Sequence, residues 1–280
     1  MSQSGLWKWV GPGVAAIFAS TALAEAPANP PFETVFFPSG NLKIEGYLYR
    51  PAGKGPFPAL IYNHGSRPGF EREELPMPHI AQAFVPAGYL VLVVERRGYG
   101  KSDGEAFIRE VGTDRGAKFV NRLVAEADDV VASAEYLEKQ AYVDKGRLAL
   151  VGWSLGGIVT VLASSRRDFR AAIDQASGAL TWKSSPALQD SLREAAGKVR
   201  TPLLTMVAEN DATTDAAKTI DGAVRKQIPH KLIIYPSFHT ATPLAVPEGH
   251  ALFSRAGIQV WKDDALAWLS RYVPSIPAGP

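Results

Sequence analysis

Residues 151–157 read Val-Gly-Trp-Ser-Leu-Gly-Gly and follow directly on the apolar run Leu148-Ala149-Leu150. A packed core has no use for the Ser154 hydroxyl, and a hairpin would carry Asn-Gly or Asp-Gly instead. The chemistry it suits is nucleophilic attack. Gly152, Ser154 and Gly156 form the G-x-S-x-G spacing, in which a serine occupies a tight turn between a buried strand and a helix. Such a turn has no room for side chains two residues to either side, so glycines stand there and the serine hydroxyl is presented at the carboxyl end of the sheet. The amino terminus of the following helix favours negative charge developing beside it. The plainer alternative is a glycine-rich turn with an incidental serine, and a strand and helix in the right places favour the nucleophile.

A serine hydroxyl needs a base, and the base needs an acid to orient it. Around such a turn the order Ser, Asp/Glu, His is expected, with the partners at the ends of later strands. The apolar run 202–208 ends in Glu209-Asn210-Asp211, and Asp211 is the preferred acid. Glu209 and Asp174 are the alternatives. Of the five histidines, His64 and His79 precede the serine, and His230 sits at the wrong end of its strand. His239 and His250 both lie between the last strand and the last helix. His250 is preferred, because Gly249 lets the backbone approach and Leu252-Phe253 can anchor the turn. His239 is the alternative base. For each of these residues the bland reading is a solvated loop side chain.

Stabilising an oxyanion takes two backbone N–H groups. The N–H of Leu155, directly after the nucleophile, is one. The other is expected in the loop His64-Gly65-Ser66, from Ser66 or alternatively from Gly65. His64 then shapes the loop and transfers no proton. In the segment 95–104, Glu-Arg-Arg-Gly-Tyr-Gly-Lys-Ser-Asp-Gly, Arg96 or Arg97 is expected to pair with a carboxylate and hold the loop, with lining of the pocket as the alternative. No His/Asp/Glu spacing marks a metal site and no phosphate-binding glycine loop follows a strand, so neither metal nor cofactor is expected.

These residues need a scaffold that brings strand ends together. Residues 33–53 alternate apolar and polar around Pro38-Ser39-Gly40-Asn41, which predicts an antiparallel hairpin with one face exposed. The runs 58–63, 89–95, 147–152, 171–174, 202–208 and 231–235 are apolar with little alternation, as strands covered on both faces are. Helical periodicity fills the intervals. In 119–140 it places Val120, Leu123, Val124, Ala127, Val131 and Leu137 on one face. Strand and helix alternate from residue 58 onward, which predicts an α/β fold, a doubly wound and mostly parallel sheet, as a single domain over 33–280. The insertions 105–119 and 236–253 are candidates for a lid.

Ahead of the domain, Lys8 precedes an apolar stretch that closes with Ala22-Leu23-Ala24. This reads as a secretory signal peptide over 1–24, with 25–32 as a Pro-rich lead-in and a secreted or periplasmic mature protein. An uncleaved anchor is the alternative. The chain of 280 residues is 46% hydrophobic and 21% charged, enough for one large core. With a net charge of +2 and no basic stripe, nucleic acid is not an expected partner, nor is stable membrane insertion after signal removal. The absence of cysteine excludes disulfides and thiolate nucleophiles.

The segments Tyr62–Gly69, Glu95–Gly104, Val151–Gly157, Ala208–Thr214 and Glu248–Phe253, in that order, resemble the α/β-hydrolase superfamily, and within it the dienelactone hydrolase-like and prolyl-oligopeptidase-like branches. The resemblance covers roughly 33–272 and implies a Ser–Asp–His triad on Ser154, Asp211 and His250. The chain departs from both branches. Dienelactone hydrolase proper uses a cysteine nucleophile, and prolyl-oligopeptidase relatives carry a propeller that the residues before 33 cannot supply. The expected activity is therefore an exported serine hydrolase cleaving small esters through an acyl-enzyme. A peptidase or amidase on the same triad, and a non-catalytic binding protein on a hydrolase fold, are the alternatives.

Overall fold

The computed structural model describes residues 29–241 and 245–275. The expected signal peptide, residues 1–24, lies outside the described residues. Two strands, β1 (Glu33–Ser39) and β2 (Leu42–Tyr49), form the antiparallel hairpin through Gly40, whose φ of 59° is open to glycine at no steric cost. The apolar runs become β3 (Phe57–Asn63), β4 (Leu90–Glu95), β5 (Val143–Trp153), β6 (Ala171–Gln175), β7 (Leu203–Ala208) and β8 (His230–Tyr235). Together they make one sheet in the order β1-β2-β4-β3-β5-β6-β7-β8. The β1–β2 and β2–β4 pairs are antiparallel and the remainder parallel.

The helices are α1 (Pro78–Phe84), α2 (Phe107–Val111), α3 (Ala117–Glu138), α4 (Leu155–Ser164), α5 (Pro186–Lys198), α6 (Asp215–Ala223) and α7 (Ile258–Tyr272). They cover both faces of the sheet, which is why the central strands are apolar throughout. In β3, Ala59 and Ile61 belong to the core under α3, α4 and α5, whereas Leu60 and Tyr62 belong to the core under α1 and α7. Side chains that alternate between two buried faces leave no polar face to alternate with.

Three expectations are corrected. The hairpin has one exposed face only in β1; β2 is buried on both faces from Ile44 onward, because Ile44 and Leu48 enter one core and Tyr47 and Tyr49 the other. The run 231–235 is not covered on both faces, since β8 is an edge strand with only Tyr235 buried. In α3 the apolar stripe is Phe119, Leu123, Ala127, Val130, Ala134 and Leu137, with Val120, Val124 and Val131 only half-buried beside it. A second, polar stripe of Arg122, Glu126, Asp129 and Ser133 is also buried, the first three against the loop that follows β4.

Candidate active site

The strand–helix junction at Ser154 is built by its glycines. Ser154 has φ 58°, a conformation that costs a non-glycine residue of order 1–3 kcal/mol. It is held by Ser154 N–H donating to the Gln175 carbonyl at 2.8 Å and by the Ile158 N–H donating to the Ser154 carbonyl at 3.1 Å. A Cβ on Gly152 would meet the Gly156 carbonyl oxygen at 2.3 Å, and one on Gly156 would meet the Asn63 carbonyl oxygen at 2.0 Å. Either methyl would push α4 off the sheet. The junction that sequence spacing predicts is therefore sterically enforced.

Asp211 lies in the turn after β7, where its N–H donates to the Ala208 carbonyl at 3.2 Å and its Oδ1 accepts from the Ala212 N–H at 2.6 Å. His250 lies in a 3₁₀ segment, Glu248–Phe253, and approaches that turn across Gly249. A Cβ on Gly249 would fall 2.5 Å from the Asp211 nitrogen, so only glycine permits the approach. The result is one continuous series. His250 Nδ1 lies 3.0 Å from Asp211 Oδ2, and His250 Nε2 lies 2.8 Å from Ser154 Oγ. All three residues are buried. Trp153, the second residue of the serine motif, donates its indole N–H to the His250 carbonyl at 3.1 Å. Sequence reasoning gave that tryptophan no role, although its place beside the serine is a usable signal.

The alternatives stand elsewhere. His239 is 72% exposed and pairs with Glu248 at 2.8 Å, which pulls the Glu248 carboxyl below its usual range. Glu209 is exposed. Asp174 is fully buried behind the serine turn, accepts from the Ser177 hydroxyl at 2.9 Å, and is pushed up to about 7 by burial.

Next to Ser154 the backbone of Gly65 comes close enough that a Cβ there would lie 3.3 Å from that of Ser154. Ser66 and Leu155 both line a cavity of about 420 Å³ that opens from the serine. Its apolar wall comes from Phe107, Phe119, Leu155 and Ile158, and its lips from Ile108 and Leu180, which are 45% and 40% exposed. Segment 105–119 thus walls the cavity. None of the described residues of 236–253 lines it. Arg67, Glu71 and Tyr99 also face it, and no sequence periodicity distinguishes them from loop residues. Arg67 pairs with Glu95, whose carboxyl burial pushes up to about 7. Arg96 and Arg97 both pair with carboxylates, as expected, on Glu126 and Asp129 of α3. Among the described residues no cluster of side chains could hold a metal ion, and no helix is long and apolar enough to cross a membrane.

Comparison with known proteins places the fold and the family. The chain is 28% identical over 209 residues to the quorum-quenching protein AidA of Acinetobacter baumannii, a match spanning 74% of this chain and 59% of that protein. The chain therefore spans only part of the length of this relative. Among solved structures it resembles a dienelactone hydrolase from Anabaena variabilis, with TM-score 0.64 at 19% identity over 88% of this chain and 99% of that one. It also resembles a Pyrococcus furiosus esterase, with TM-score 0.61 at 16% identity over 87% and 92% of the two chains. An acylaminoacyl peptidase of Pyrococcus horikoshii gives TM-score 0.65 at 15% identity, covering 89% of this chain but 43% of that one. At such identities these structures carry the fold, an α/β hydrolase. The sequence itself matches the model of the dienelactone hydrolase family over residues 44–255, and to that family the chain belongs.

Proposed function

We propose that this protein is an exported serine carboxylesterase that cleaves small esters. The observation that carries the reading is the unbroken Asp211–His250–Ser154 series, with contacts of 3.0 and 2.8 Å. His250 Nε2 takes the proton of Ser154 as Oγ attacks the ester carbonyl. The N–H groups of Leu155 and of the Gly65–Ser66 turn receive the negative charge on the former carbonyl oxygen. Collapse of the tetrahedral adduct breaks the C–O bond to the alcohol, which leaves with the proton from His250. Water, deprotonated by the same imidazole, then releases the acid and restores Ser154. Asp211 fixes the imidazole with Nδ1–H towards itself, so that Nε2 is the basic nitrogen.

The apolar walls and exposed apolar lips favour an ester with an aliphatic or aryl group large enough to cover Ile108 and Leu180. The likeness to an acylaminoacyl peptidase supports amide cleavage as the second reading. Export rests on the segment ending Ala22-Leu23-Ala24, and predicts a mature chain that begins at Glu25.

The test is hydrolysis of p-nitrophenyl esters from acetate to decanoate, alongside p-nitroanilides of the same acids and fluorophosphonate labelling. Ester turnover by the parent, its loss in Ser154→Ala by at least about 10³-fold, and unchanged turnover in His239→Ala are expected. An unlabelled Ser154 with no turnover of either series would sink the catalytic reading in favour of a binding protein. Faster cleavage of the anilides would replace the esterase with an amidase.

A further inference from the structure

Two adjacent arginines follow β4, and each meets a buried carboxylate one helical turn apart on α3. The pairs look alike but end differently. Arg97 closes on Asp129 with its Nε at 3.0 Å and Nη2 at 2.8 Å, and its backbone N–H donates to the same carboxylate at 2.9 Å. Arg96 gives only its Nε to Glu126, at 2.7 Å, and the other Glu126 oxygen accepts from Arg122 Nε at 3.0 Å. This leaves Arg96 Nη2 to donate to the His64 carbonyl at 2.9 Å. Arg96, Glu126 and His64 have no solvent exposure.

The His64 carbonyl belongs to the peptide whose N–H is that of Gly65. A trans peptide is planar, with its oxygen and hydrogen on opposite sides, so fixing one fixes the direction of the other. The next peptide is fixed in the same way. His64 Nδ1 stands 2.7 Å from the Gly65 carbonyl oxygen, and that oxygen belongs to the peptide whose N–H is that of Ser66. Because a carbonyl only accepts, Nδ1 carries the hydrogen. Each candidate oxyanion donor of this loop therefore has its peptide plane held from behind by a buried side chain. A cationic donor on the His64 carbonyl also polarises that peptide and strengthens its N–H as a donor.

We infer that Arg96, anchored by Glu126, is a positioning residue for the oxyanion N–H groups, with His64 setting the second peptide plane. Neither touches substrate, and both act through the direction of the Gly65 and Ser66 amides. The inference rests on the serine hydrolase reading above. A buried ion pair is weak evidence for stability, since apolar side chains often replace one without loss. A buried charged pair whose guanidinium also reaches this one carbonyl is what a positioning role requires.

The experiment compares Arg96→Met, Arg96→Lys and Arg97→Met with the parent, each checked by thermal melting. Ester kinetics, inhibition by an alkylboronic acid that forms a tetrahedral adduct on Ser154, and the fluorophosphonate labelling rate are the readouts. Arg96→Met is expected to lower kcat about 10- to 100-fold with KM within about twofold, and to weaken the boronate by the same factor. Arg97→Met is expected to lower the melting temperature while leaving kcat and boronate affinity within about twofold. Arg96→Lys keeps the charge beside Glu126 but loses the planar fork, so it should fold and still lose about threefold or more in kcat and boronate affinity. The inference is overturned if the Arg96 variants match Arg97→Met in kcat and boronate affinity. Should Arg96→Met fail to fold, Arg96→Lys with parental kinetics overturns it equally. A parent that neither labels nor hydrolyses sinks the hydrolase reading, and the inference with it. A parent that labels but cleaves no ester sinks only the esterase reading, and the labelling and boronate comparisons still decide the inference.

Discussion

Two buried histidines, His250 and His64, occupy loops at the carboxyl end of the sheet and differ in almost everything that decides reactivity. Each has a carboxylate near it, Asp211 at 3.0 Å for His250 and Glu95 at 3.9 Å for His64. Each also packs on an aromatic ring, Trp153 for the first and Tyr99 for the second. The contrast lies in the remaining partners. His250 spends one nitrogen on Asp211 and the other on the Ser154 hydroxyl. His64 spends Nδ1 on the carbonyl of its own neighbour, and burial together with Arg96 and Arg67 holds its pKa well below the ordinary imidazole range. A neutral ring locked to backbone cannot carry protons between substrate and solvent. Burial and residue type are shared; the hydrogen-bond partners separate a candidate base from a structural brace.

The largest effect that tests this contrast is the loss of His250. His250→Ala should cost at least about 10³-fold in kcat for ester hydrolysis, and a variant with near-parental turnover would break the comparison outright. Gly249→Ala comes next. Its methyl would fall 2.5 Å from the Asp211 nitrogen, so the 248–253 segment must move and carry His250 away from Asp211. About a 10- to 100-fold fall in kcat is expected in a chain that still folds, and parental kinetics would mean that the Asp211–His250 contact contributes little.

His64→Phe keeps a ring against Tyr99 and removes the bond to the Gly65 carbonyl. It should lower kcat roughly tenfold without moving either limb of the pH–rate profile. A shifted acid limb would show that His64 titrates in the reaction and would erase the distinction drawn between the two rings.

The smallest effect concerns Asp174, the carboxylate left outside the series. Burial keeps it protonated up to about pH 7 in the folded protein, whereas an unfolded aspartate ionises near pH 4. Folding therefore takes up a proton between those values, and stability falls as pH rises through that window. Asp174→Asn removes the titrating group and retains an acceptor for Ser177. Its melting temperature relative to the parent should climb by a few degrees from pH 4 to 7 and then level off. A difference that stays flat across the window would show that Asp174 is ionised in the fold, and would return it to the field of candidate acids.

Much of this arrangement was legible in the chain. The apolar runs are strands because burial on two faces removes any polar alternation, as Leu60 and Ile61 show by entering opposite cores. The serine turn was legible because Gly152 and Gly156 leave no alternative to glycine where the Gly156 and Asn63 carbonyl oxygens come within 2.3 and 2.0 Å. Less legible were β2, whose side chains enter both cores, and the buried polar stripe of α3. Charged residues at helical spacing read as a solvated face until a partner loop lies over them. Arg67 and Glu71 were hidden for the same reason, and segment 105–119 could be singled out as a covering insertion but not its lining residues, since pocket lining depends on which segments meet and not on local pattern.

The sequence by itself determined the order of strands and helices, the serine turn, and a short list of acids and bases. Those follow from local sterics and from the period of apolar residues, which act over a few neighbouring positions. Tertiary structure brought His250 to Ser154 and Asp211 while leaving His239 on Glu248, and turned Arg96 towards the His64 carbonyl while Arg97 closed on Asp129. Those outcomes depend on distances between residues far apart in the chain. His250 and Asp211 are 39 positions apart, and Arg96 and His64 are 32 apart, so only the packing of loops at the carboxyl end of the sheet could fix which nitrogen faces which oxygen.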